Sequence, residues 1–390
     1  MLTERIGAAS LAWLDASLAE DRCQELTALA ESVADRIVAG GKLYVAGDGG
    51  FCDELYFRAG GFAGVTIWAE GPRFTEKDVV VIGLFAPNDK GARCPLLAWA
   101  GSDSGRFHGA AVILIANDAW PQIGRVVALA AAGHVGTNFH LLDTRAVAGA
   151  DLAALSLNQM ATVALAYAFE GELFAAVSRR GKTMSMLTSI FEPGGEAFDE
   201  KITSANVIAD IAVAPVAAGT LARAYLGTCR DQVAKAFAGG QAAQARAAAK
   251  RLADCQTRGG SIWTIPGGHL FQRGLTIPPE LSGMSMYGHT WEWTAPQGLR
   301  GGDTLFYIGY LVYPEKEIAA SLAVGADAVV LSVDAGPADD HVTAIRTCWE
   351  QWDAVVPVPG YPFKMLPSSG VVLTPLLYGI LSETLALLKH

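Results

Sequence analysis

The feature that most constrains this chain is that it runs through one order of elements twice. Short apolar runs begin at 78 (DVVVIGLF), 110 (AAVILIAN) and 138 (NFHLLD), and an apolar helical stretch begins at 151. Counterparts begin at 304 (TLFYIGYL), 328 (AVVLSV), 354 (AVVPVP) and 368, so all four pairs are separated by 216 to 226 residues. Unrelated segments do not keep so constant an offset, and a period this long means duplicated domains rather than a solenoid. Each half opens with a helix. The first, 9–38, has Leu11, Leu14, Leu18, Leu26, Leu29, Val33 and Ile37 at helical spacing and Gly40–Gly41 as its stop; the second covers 207–254. Each half then enters a strand that ends on glycines, KLYVAG into GDGG at 42–50 and SIWTIP into GGHL at 261–270. Apolar runs not joined by two-residue hairpin turns predict buried parallel strands. The expectation is an α/β protein with two doubly wound, flavodoxin-like parallel-sheet domains in tandem, 1–180 and 207–390. The Gly-, Ser-, Thr- and charge-rich segment 181–206 joins them as a linker or cleft loop.

Composition sets the outer limits. With 51% hydrophobic and 17% charged residues the 390-residue chain is globular, and it is long enough for each half to bury a core. Its 43 glycines exceed the usual share of roughly 7%, and the excess is expected in turns. The formal charge of −10, with no basic run interleaved with aromatics, argues against nucleic acid as a partner. An anionic small molecule stays compatible, because backbone N–H groups at a helix N-terminus hold anions whatever the global charge. Cys23, Cys52, Cys94, Cys229, Cys255 and Cys348 form no CxxC pair and no Cys/His cluster, so neither a disulfide framework nor a metal site is expected, and no cofactor is implied. Glu4 and Asp15 interrupt the N-terminal apolar stretch, which argues against a signal peptide. The uncharged runs 152–169 and 365–382 contain Ser156, Asn158 and Gln159, or Pro367 and Pro375, and read as core helices rather than membrane spans. A soluble cytoplasmic protein with no membrane partner is the expectation.

The order of a helix, a strand ending in a G-x-G-G turn, a second helix, a D-V-V-V-I-G strand, two more strands and a long final helix resembles the SIS (sugar isomerase) domain of phosphosugar isomerases and binding proteins. GKLYVAGDGGFCDELYFRAGGFAG (41–64) is similar to the first strand and phosphate-side loop of the phosphoheptose isomerase group, and LPSSGVVLTPLLYGILSETLALL (366–388) to the closing SIS helix. The resemblance covers nearly the whole chain as two copies. It implies a sugar phosphate or related sugar derivative as ligand, aldose–ketose isomerisation as the reaction, and a homodimer. The chain departs from the family pattern in four respects. The loops GLFAPNDKG (83–91) and IGYLVYPEKE (308–317) carry no Ser or Thr. The serine expected after G-x-G-G is Phe51 in one half and Leu270 in the other. The position matching the phosphoheptose isomerases' catalytic Glu is roughly Gly61, and the closing helix of the first half has no histidine.

Each candidate residue carries two readings. Gly47, Asp48, Gly49 and Gly50 lie between strand and helix, either as a backbone cradle for a ligand or as a turn that only packs strand on helix. Gly267, Gly268 and His269 hold the matching place in the second half; His269 is either an acid/base group at the sheet's switch point or a turn residue bonded to backbone. Ser368 and Ser369 open the closing helix as N-caps or as an anion site, and Thr374 beyond them reads as packing. Isomerisation needs a carboxylate or histidine within reach of the C1 and C2 protons. The catalytic candidates are His269, Glu54, Glu170 and His289, with Glu172 and Glu383 as further acids on apolar helices, each acid being otherwise an edge residue or an arginine partner. Tyr287, Trp291 and Trp293 beside His289 either stack on a sugar or belong to a core or interface. Glu192 and Glu196 in the 191–201 loop either cover a cleft or merely lie in a linker. Two functions stay open: binding and isomerisation of a sugar phosphate or related sugar derivative, or a non-catalytic tandem sensor, regulator or scaffold.

Overall fold

A computed structural model describes residues 2–68, 74–85, 107, 109–135, 138–147, 149, 151–202, 206–266, 281, 284–286, 297–309, 313–349 and 352–389. The first half contains α1 (Leu2–Ser17), α2 (Glu20–Val38), β1 (Leu43–Gly47), α3 (Gly49–Leu55), β2 (Val65–Ile67), β3 (Val79–Gly83), β4 (Ala111–Ala116), α4 (Pro121–Ala131), β5 (Asn138–Asp143) and α5 (Leu152–Arg179). Its strands form one parallel sheet in the order β2-β1-β3-β4-β5. VVVIG of β3 and AVILIA of β4 are buried throughout, as continuous apolar runs covered on both faces must be. NFHLLD of β5 is half-exposed, as an edge strand is.

The second half adds β6 (Thr183–Met184), α6 (Gly195–Ile202), β7 (Val207–Ile208), α7 (Thr220–Ala236), α8 (Gly240–Thr257), β8 (Ile262–Pro266), β9 (Met284–Met286), β10 (Thr304–Ile308), α9 (Glu315–Ala323), β11 (Asp327–Ser332), β12 (Val342–Arg346), β13 (Ala354–Val356), β14 (Met365–Pro367) and α10 (Ser369–Leu388). The second parallel sheet has the order β9-β8-β10-β11-β12, the same as the first. The chain is therefore α/β and doubly wound, with two parallel sheets of one topology.

Four expectations are corrected. The helix foreseen over 9–38 is two helices, broken at Leu18–Ala19, where Ala19 is extended (φ −61°, ψ 149°) and no Gly or Pro marks the break. Glu20 and Asp21 then sit in the first turn of α2, facing its positive end. The helix foreseen over 207–254 begins as β7, paired antiparallel with β6, and becomes helical only at Thr220; Gly239 at φ +50° separates α7 from α8. AVVPVP does not enter the parallel sheet. Ala354–Val356 pairs antiparallel with Met365–Pro367, and the fifth place belongs to β12, whose half-buried VTAIR is no continuous apolar run. The segment 181–206 is no plain linker, since it contains β6 and α6, and its Met186 bridges to Phe62.

The chain groups into two compact units. One comprises Ala12–Arg230 and Ala354–Val371, the other Met1–Leu11, Asp231–Asp353 and Val372–His390. In the first unit Val80, Ile82, Val112 and Leu114 pack with Trp120 and with Phe74 and Phe107, whose rings stack at 5.5 Å. In the second, Leu305, Tyr307, Ile318 and Val330 form the corresponding cluster. Helix α5 starts where the Asp151 carboxylate accepts from the Ala154 N–H at 2.8 Å, an N-cap that satisfies an otherwise orphaned donor. By length and apolarity α5 and α10 could each cross a membrane, but 83% and 67% of their apolar windows are buried within the protein, as in core helices.

Candidate functional site

In the first sheet the chain leaves β1 for β2 on one side and returns to β3 on the other, so the switch point lies between the ends of β1 and β3. Gly47 and Gly83 are partners in register at that point. Gly47 has φ +114°, and a β-carbon on it would stand 2.1 Å from the Gly83 carbonyl oxygen, so only glycine fits. The Asp48 N–H donates to the Gly83 carbonyl at 3.0 Å, and Asp48 Oδ2 accepts from the Phe85 N–H at 2.5 Å. Asp48 is half-buried, and burial raises its pKa against the lowering effect of the Phe85 N–H. Gly49 and Gly50 open α3, a helix of seven residues.

Phe51 points into the space beside the switch point. It is fully buried, its ring lies where a Gly83 side chain would be, and Phe85 meets it edge-on at 6.1 Å. An aromatic ring thus fills the place at which the resemblance implies a hydroxyl. Cys52 next to it is held protonated, burial pushing its thiol up to about 12.

Glu54 and Arg58 are fully buried, with Arg58 Nε 3.5 Å from Glu54 Oε1. Arg58 Nη2 donates to Ser369 Oγ at 2.5 Å, and the Tyr167 hydroxyl lies 2.7 Å from the Glu54 carbonyl and 3.4 Å from its Oε1. Tyr225 donates to the Pro367 carbonyl at 2.8 Å, and its ring meets Tyr167 edge-on. Ser368 and Ser369 are also fully buried, so the start of α10 is not an open anion site. Arg58 and Tyr167 were missed in the sequence. Arg58 stands four residues after Glu54, an ion-pair spacing, but α3 ends at Leu55 and Phe57 has φ +52°, so the usual helix rule does not place it.

Glu170 and Glu172 are both buried on α5. Glu170 Oε2 accepts from the Phe62 N–H at 3.3 Å and would lie 3.6 Å from a side chain starting at Gly61. A carboxyl group therefore reaches, from α5, the backbone at Gly61 and Phe62. Burial pushes its pKa up to about 8, with only the Phe62 N–H opposing. Glu172 accepts from the Gly219 N–H at 2.8 Å, the Ala222 N–H at 3.0 Å and the Thr27 hydroxyl at 3.0 Å, which makes it a cap on α7.

In the first unit the structure gathers Gly47, Asp48, Gly49 and Gly50 at the switch point, and Glu54, Ser368 and Ser369 at the start of α10. Glu192 accepts from Thr188 Oγ1 at 2.9 Å and Glu196 is exposed. Thr374 is buried, and Glu383 Oε1 accepts from the Thr3 N–H at 3.2 Å. Gly267, Gly268, His269, Leu270, His289, Tyr287, Trp291 and Trp293, residues 86–91 and residues 310–312 lie outside the described residues. Among the described residues no group of three His, Cys, Asp or Glu side chains is placed to hold a metal.

No family model matches the sequence, and no curated protein matches it. Solved structures do match its fold along the whole chain. The C-terminal domain of glucosamine-fructose-6-phosphate aminotransferase from Francisella tularensis superposes with a TM-score of 0.51 at 10% identity, covering 100% of this chain and 95% of that one. A protein of Silicibacter pomeroyi assigned as a phosphosugar isomerase superposes with a TM-score of 0.50 at 12% identity, covering 99% and 98%. At such identities the likeness is one of fold, and it is the fold that the sequence resemblance implied.

Proposed function

We propose that this protein binds a sugar phosphate or a related polar sugar derivative at the carboxyl-terminal edge of its parallel sheets. The observation that carries the reading is the end-to-end fold match to a domain named for fructose-6-phosphate chemistry and to a protein assigned to phosphosugars. Open α/β sheets take their ligands at the switch point, and the first unit has at that place a glycine pair in register and a half-buried acid, Asp48, able to accept from a sugar hydroxyl. Binding without turnover is the better-supported form, because the acids Glu54 and Glu170 are buried among protein groups. The reading includes a cytoplasmic homodimer without nucleic acid, membrane or cofactor, built on the repeat units 1–180 and 207–390 with 181–206 between them.

A second reading, aldose–ketose isomerisation, is favoured by one observation, the Glu170 carboxyl beside Gly61 with its pKa near neutrality. A thermal-shift screen of sugar phosphates and free sugars tests binding. A ligand at 100 times its dissociation constant adds about 2.7 kcal/mol, and a screen in which no compound raises Tm overturns the proposal. Proton NMR of any binder in deuterated water separates the two readings. Deuterium entering at C2, and lost in Glu170→Gln, supports isomerisation; an unchanged sugar supports a sensor.

A further inference from the structure

The first turn of α10 closes on a carboxylate that belongs to the protein. A β-carbon on Gly370 would stand 2.7 Å from Glu54 Oε1 and 3.1 Å from its Cδ, so the missing side chain at 370 is what admits the carboxylate to the turn. Arg58 bridges the same place, with Nε 3.5 Å from Glu54 Oε1 and Nη2 on Ser369 Oγ. Tyr167 closes it from α5. Helix α10 is 20 residues long and has no acidic residue of its own in its first turn. Its N-terminal N–H groups and the partial positive charge of the aligned peptides favour an anion there, and Glu54 is the anion the fold delivers.

We propose that Glu54 is the resident anion of the α10 terminus and the residue that excludes phosphate from it. The Ser368–Ser369 turn has the composition of a phosphate grip, but it is completed from inside. A ligand phosphate entering there would have to displace Glu54 or stand against it, either leaving a buried carboxylate without Arg58 or setting like charges together in a water-poor site, and both are costly. In this unit a bound sugar is then recognised by groups other than a phosphate at α10. The inference concerns a contact within the chain and holds whether or not a sugar binds elsewhere, so its test is independent of the ligand screen.

The experiment compares thermal denaturation in chloride, acetate and phosphate at equal ionic strength, together with the 31P line width of inorganic phosphate. The wild-type protein should show the same Tm in chloride and acetate, and no broadening of the phosphate signal that Ser369→Ala removes. Glu54→Ala should lose roughly 10 °C in chloride, and acetate, which fits the vacated place, should restore half or more of the loss. Glu54→Gln keeps the shape without the charge, and should lose Tm without acetate rescue. If the alanine variant does not fold, the glutamine variant decides: an unchanged Tm shows that no anion is needed and overturns the proposal. Absence of acetate rescue in a folded Glu54→Ala overturns it too, as does wild-type phosphate broadening that Ser369→Ala removes.

Discussion

Phe51 and Gly83 fit so closely that a β-carbon on Gly83 would lie 2.3 Å from the Phe51 ring. Phe51 is the residue after GDGG, and Gly83 ends β3 opposite Gly47. The pair packs an aromatic ring against the end of β3, beside the half-buried Asp48. Gly83→Ala should therefore cost about 1–3 kcal/mol by overpacking, seen as a lower urea midpoint at unchanged slope. Adding Phe51→Ala should couple to it with a relief of about 0.5 kcal/mol or more, because the clash needs both partners. Strictly additive losses would show that the two residues do not share this contact.

Glu170 makes stability depend on pH in a direction opposite to the usual salt-bridged acid. Its folded pKa of about 8 lies above the ordinary value of 4.5, so the folded state holds the extra proton between these limits. The stabilisation is complete below 4.5 and is lost as pH rises toward 8, with a limiting slope of about 1.4 kcal/mol per pH unit. Denaturant titrations of Glu170→Gln should lack this slope, and the variant should match or exceed wild type at pH 8. Parallel pH profiles for the two proteins would rule the assignment out.

Glu172, considered in the sequence as an acid/base group, holds two backbone N–H groups at the start of α7 and the Thr27 hydroxyl. Glu172→Ala leaves two buried backbone donors and the half-buried Thr27 hydroxyl without this acceptor and should cost about 3–5 kcal/mol. Thr27→Val removes one neutral donor and should cost no more than about 1.5 kcal/mol. Far-UV circular dichroism during urea unfolding measures both, and equal losses would mean that the cap on α7 is not where the energy lies.

Asp48 ties the end of β1 to the segment after β3 through the Phe85 N–H. A hydrogen bond to a charged acceptor contributes about 1.5–3 kcal/mol, so Asp48→Ala should speed exchange of the Phe85 amide by about tenfold or more while the β3 amides keep their protection. Uniform acceleration along β3 would instead indicate loss of the whole sheet.

Strands β3 and β4 were legible because parallel strands buried on both faces leave continuous apolar runs, and α5 because a long uncharged stretch follows an Asp at its cap. Strands β2 and β12 were not. At a sheet edge the pattern is short and half-polar, and a sequence window cannot tell such a segment from a loop. Gly47 could be read as a turn or close-approach position, but the atoms that approach it, those of Gly83, could not.

By itself the sequence determined the fold class, the buried parallel strands β1, β3 and β4 with β8, β10 and β11, and the strand-to-helix turn at 47–50, because these follow from local periodicity and backbone sterics. Only the tertiary structure decided what the polar residues do. Glu54 meets Gly370, Glu170 meets Phe62 and Glu172 meets Gly219 across chain separations that no periodicity records. Whether a carboxylate is a base, a cap or a resident anion depends on the donors and dielectric around it, and those are set by packing.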